Sequence, residues 1–84
     1  MSSDLTPIAD NVQAFGLSWT GVHDPAEGTD HWSAVHDKTD YFIVDLGHRV
    51  LLAITRKGKT IGHRQENLTS AMKFAGIDAQ VSFF

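Results

Sequence analysis

From His31 onward, short apolar segments alternate with connections too brief for anything but antiparallel pairing. His31–His36, Tyr41–Leu46 and Arg49–Thr55 are separated only by D-K-T-D at 37–40 and by a turn at Gly47. A parallel neighbour needs a crossover of about a dozen residues or more, so these linkers predict consecutive strands lying side by side. Phe42 and Val44 then share one face, and Tyr41, Ile43 and Asp45 the other. The segment from Arg49 to Thr55 is apolar on both faces, which suits a central strand. Lys57-Gly58-Lys59 is a further turn signal, followed by a short strand through Ile61.

The flanks of this meander carry helical signals. Thr6 suits an N-cap, Pro7 the first helical position, and Ile8, Val12 and Phe15 recur at i, i+4, i+7 before Gly16. A first helix is expected there. Leu17 to Val22 reads as extended, with Leu17 and Trp19 on one face, and His23 to Asp30 as an exposed loop. A second helix is expected where Leu68, Met72 and Ala75 fall at i, i+4, i+7 beside Ala71, with Gly76 as its stop. Beyond it Ile77, Ala79, Val81 and Phe83 alternate with Asp78, Gln80 and Ser82, the pattern of a half-buried strand. These signals predict a single α+β domain over residues 1–84, an antiparallel sheet of four or five strands with two helices packed on it.

At 84 residues such a domain has a thin core, and with no cysteine it has no disulfide or thiolate zinc site to reinforce it. Oligomerisation is the remaining reinforcement, and a homodimer paired through the apolar segment Ile77–Phe84 is one expectation. The polar, acidic N-terminus lacks the order of a signal peptide, and the longest apolar run, Val50–Ile54, is too short to span a bilayer. A cytoplasmic protein without membrane contact is expected.

Catalytic signatures are weak. A-I-T-R-K-G-K-T at 53–60 fits a relaxed phosphate-loop pattern, but Ala53 to Thr55 continues an apolar strand and R-K-G-K-T reads as a hairpin turn. His23, His31, His36, His48 and His63 invite a metal hypothesis, yet no H-E-x-x-H or H-x-H pair occurs. Asp24 and Glu27 could pair for acid–base work but lie in an exposed loop, and no serine sits in a nucleophile elbow. No catalytic residue, cofactor or metal is expected.

Charge is the more informative signal. Residues 1–47 hold eight acids and one base, whereas residues 48–84 hold six bases and two acids. Clustered charge steers complementary partners, although pairing of the two halves could also neutralise it. Asp24, Glu27, Asp30, Asp37 and Asp40 occupy two loops that could gather at one end of the sheet and imitate a phosphate backbone. Trp19, Trp32 and Tyr41 would supply aromatic anchors beside them. The mirror expectation is a nucleic-acid-binding regulator using Arg49, Arg56, Lys57, Lys59 and Arg64.

In size, lack of cysteine and charge pattern the chain resembles the small accessory proteins of bacteriophages and mobile elements, anti-CRISPR proteins among them. That resemblance implies a non-enzymatic inhibitor that binds a nucleic-acid-handling complex stoichiometrically and blocks recognition or cleavage. It carries no residue roles with it.

Overall fold

In a computed structural model describing residues 5–81, six strands form one antiparallel sheet in the order of the chain. They are β1 (Thr6–Ala14), β2 (Leu17–Asp24), β3 (Thr29–His36), β4 (Thr39–Asp45), β5 (Val50–Arg56) and β6 (Lys59–Gln65), followed by one helix, α1 (Leu68–Val81). This corrects the expectation of four or five strands with two helices.

Local chemistry accounts for the regular hairpins at one end of the sheet. Phe15-Gly16, Asp37-Lys38 and Lys57-Gly58 each have positive φ at both residues, and the flanking residues pair directly across the turn. These are two-residue turns of the primed type, whose twist matches that of the strands they join. At the opposite end, Asp24 shapes the 25–28 connection. Its Oδ1 accepts from the Ala26 and Glu27 amides, and its carbonyl accepts from Gly28 N at 2.8 Å. Asp45 likewise accepts from the Gly47 amide to close the β4–β5 turn.

The core lies between α1 and one face of the sheet. Trp19, Tyr41, Ile43 and Leu52 are its fully buried large side chains, joined by Leu17, Trp32, Val50 and Ile54. From the helix come Ala71, Met72, Ala75 and Ala79. Small residues on this helical face let its backbone settle close to a sheet already filled by aromatic rings. Asn67 caps the helix, its Oδ1 accepting from Ser70 N at 2.8 Å.

Two expected elements take a different form. The segment at Thr6–Ala14 is an edge strand, and its stripe is not a buried one: Ile8 and Phe15 are exposed while Val12 is half-buried. Pro7 is tolerated because an edge strand has one side free of ladder bonds. Register shifts between Pro7 and Ala9 and between Ala9 and Val12, with Asn11 at φ 56°, disturb the two-residue period. That broken period resembles helical spacing on paper. The other difference lies after Gly76. Gly76 does not stop the helix; it sits within α1 against the β1–β2 turn, and Ile77 to Val81 continue as helix. Ser82, Phe83 and Phe84, the rest of the expected strand, lie outside the described residues.

Candidate binding surfaces

The most connected polar cluster joins sheet to helix at the two-residue-turn end. Tyr41 OH donates to Asp78 Oδ2 at 2.8 Å, and Arg56 Nη2 forms an ion pair with the same oxygen. Arg56 Nε also donates to Thr39 Oγ1 at 3.1 Å, satisfying the one polar residue among the buried set. Burial pushes the Tyr41 hydroxyl up from 10.0 to about 12, reinforced by its hydrogen bond to Asp78. The hydrogen bond to Asp78 likewise raises the pKa of Arg56. A neutral phenol, a carboxylate and a guanidinium that satisfy one another form a clasp between β4, β5 and α1. Tyr41 is buried in this clasp and presents no surface for a partner.

Trp32 is buried too, its ring packed over Gly21, where an added Cβ would come within 2.6 Å of the ring. Its Nε1 has no hydrogen-bond partner within the described structure. With Trp19 fully buried as well, all three expected aromatic anchors are core residues.

The charged residues separate along the strand direction. The 25–28 and 37–38 connections flank β3 at opposite ends, so Asp24, Glu27 and Asp30 are not brought together with Asp37 and Asp40. The seven residue steps from Asp30 to Asp37 span roughly 23 Å. Asp30 lies opposite Asp45 and contacts His23 Nδ1 at 2.7 Å. Among the cations, Arg56, Lys57 and Lys59 gather at the two-residue-turn end, while Arg49 and Arg64 lie at the other. Lys38 joins Arg56 and Lys57 around a cleft between two hairpin tips, where Asp37 faces the same space. Arg56 is already engaged by Asp78 there, so the five expected nucleic-acid contacts do not form one surface.

The sheet face opposite α1 has no covering element among the described residues. Across it run two rows set by strand register. One row is Val22, His31, Val44, Leu51 and Arg64; the next is Thr20, Ser33, Phe42, Ala53 and Gly62. Phe42 and Leu51 are 41% and 40% exposed, more than a core position would leave them. Beside them, the small residues Ala53 and Gly62 open a shallow hollow of about 420 Å³, bordered by Phe42, Val44, Leu51 and Arg64. His31 stacks at a tilt on Phe42. Three carboxylates share this face: Asp24 at the far end of β2 and Asp40 opposite Thr55 by strand alternation, and Asp10 by the hydrogen bond it accepts from Thr20 Oγ1. Arg64 is the one lysine or arginine in the rows crossing it. Strand alternation places Phe42 and Val44 together from sequence; Asp10 goes unnoticed because its segment reads as helix.

Comparisons with protein-family models, with curated proteins and with solved structures returned no match. Among the described residues no helix is long and apolar enough to cross a membrane.

Proposed function

We propose that this domain is a non-enzymatic binding module whose open sheet face docks on a basic, partly apolar surface of another protein. The observation that supports this reading most is the apolar hollow at Phe42, Val44, Leu51 and Ala53, on a sheet face that also carries Asp40 on β4 and, toward its β1–β2 side, Asp10 and Asp24. An uncovered apolar patch on a small domain marks an interaction surface, and its charged rim selects the partner. A groove that normally holds nucleic acid has the complementary character, cationic with apolar walls. Competition for such a groove is stoichiometric inhibition of the anti-CRISPR kind, and that is the specific form of the proposal. Asp24 and Asp40 keep the role expected of them, with Asp10 added, while the apolar contact falls to Phe42 and Leu51 in place of Trp32 and Tyr41.

The test is affinity capture from bacterial lysate after nuclease treatment, run with paired variants. Leu51→Asp, and Asp24→Lys combined with Asp40→Lys, should each lose a stoichiometric protein that the parent retains. Lys38→Glu combined with Lys57→Glu, on the hairpin tips, should keep it. Loss through the hairpin-tip variant alone, or recovery of nucleic acid and no protein, overturns the proposal in favour of the basic residues.

A further inference from the structure

The two edges of the sheet are treated differently by the sequence. β1 carries Pro7, two register irregularities and a left-handed Asn11, all of which spoil an edge as a template for another strand. β6 pairs with β5 over all seven residues without a register shift and contains no proline. Among the described residues its outer edge is regular and open.

Hairpin geometry fixes which β6 groups point outward. A two-residue turn at Lys57-Gly58 makes Arg56 and Lys59 a hydrogen-bonded pair, and bonding alternates from there. Lys59, Ile61, His63 and Gln65 therefore bond inward to β5, while the amides and carbonyls of Thr60, Gly62 and Arg64 face outward. Next to this edge an apolar flank continues from sheet to helix. Ile61 is 62% exposed on the α1 side, Phe74 stacks on His63, and Ile77 and Val81 are 54% and 57% exposed.

We propose that β6 pairs antiparallel with β6 of a second copy about a two-fold axis at Gly62, joining two six-stranded sheets into one. The open face assigned above to a partner borders this seam, since Gly62 and Arg64 also line its hollow, but the contact proposed here runs through the backbone edge of β6 and the flank on the α1 side. In that register Gly62 meets Gly62 of the partner subunit with no side chain at the axis. Thr60 meets the partner subunit's Arg64, so the outward groups of both strands pair with each other. Lys59 falls opposite Gln65 of the partner subunit, so no two like charges are set directly across from each other. Ile61, Phe74, Ile77 and Val81 of each copy converge on the same side of the joined sheet. These four side chains are between 37% and 62% exposed, apolar surface that the contact would cover in both copies. An isologous two-fold contact of this kind closes on itself, and the irregular β1 edges at both ends stop further growth.

Sedimentation velocity of the full chain over a concentration series up to about 100 µM reads the association directly. A dimer is expected, with slowed amide exchange at Thr60, Gly62 and Arg64. Gly62→Pro removes an outward amide without touching the β5 ladder, and should raise the dissociation constant at least about 30-fold. Ile77→Lys, on an exposed helix position, should do the same while keeping the circular dichroism of the parent, and it carries the test if the proline variant fails to fold. Leu51→Asp on the open face should leave the dimer intact. A monomer at the top concentration overturns the proposal, as does a dimer broken by Leu51→Asp and indifferent to Ile77→Lys.

Discussion

Gly76 on the helix rests against the backbone of Phe15 in the first hairpin turn, so closely that an added Cβ would lie 2.3 Å from the Phe15 carbonyl oxygen. This contact anchors the middle of α1 to the β1–β2 turn. In an exposed helix, Gly→Ala gains about 1 kcal/mol. Here the methyl group would meet backbone, which cannot swing aside, so Gly76→Ala should destabilise by about 2–3 kcal/mol in urea unfolding. A stabilised variant would refute the close approach.

Tyr41 couples stability to alkaline pH. Its hydroxyl titrates near 12 in the folded chain and near 10.0 when unfolded. The folded state therefore holds the proton more tightly, and this contribution is complete below pH about 10 and lost as pH rises toward about 12. The parent should lose on the order of 1–3 kcal/mol across that window relative to Tyr41→Phe. Parallel pH profiles of the two proteins would count against the buried phenol.

The shared acceptor Asp78 makes a second test. Asp78→Ala leaves Arg56 and Tyr41 on the sheet without their common partner on α1. The ion pair is partly solvated, so a loss of about 1–2 kcal/mol is expected rather than that of a fully buried pair. A double-mutant cycle with Tyr41→Phe should give a coupling of at least about 0.5 kcal/mol, and strict additivity would separate the two residues.

Asp37 and Lys38 hold left-handed conformations that glycine and asparagine adopt more readily. Replacing them with Asn-Gly should stabilise the hairpin by about 1 kcal/mol, read as a higher melting temperature. A decrease would show that the Lys38 side chain contributes more than its backbone costs.

Legibility in the sequence followed the regularity of the backbone. The segments 17–22, 31–36, 41–46 and 49–55 are marked by apolar patterning and turn signals, and β2 to β5 overlap each of them, although Leu46 and Arg49 fall outside the strands and the loop expected over 23–30 is only 25–28. β1 is concealed because bulges at Ala9–Val12 destroy the period that alternation depends on. The end of α1 is concealed because glycine signals both a helix stop and a close contact, and only the position of Phe15 distinguishes them. For the surfaces, residue type shows which side chains carry charge. The ends of β3 at which they lie follow from strand order, and the burial of Trp32 and Tyr41 follows from which face α1 covers.

The helix that closes the core is made after all six strands. A nascent chain leaving the ribosome therefore presents Trp19, Tyr41, Ile43 and Leu52 on a sheet with nothing laid over it, and neighbouring β-strand contacts form early because each is local. For that interval both faces of the sheet are apolar and sticky. Docking of α1 ends that interval on one side only, so the finished protein keeps on its other face a trace of the adhesiveness with which it was synthesised.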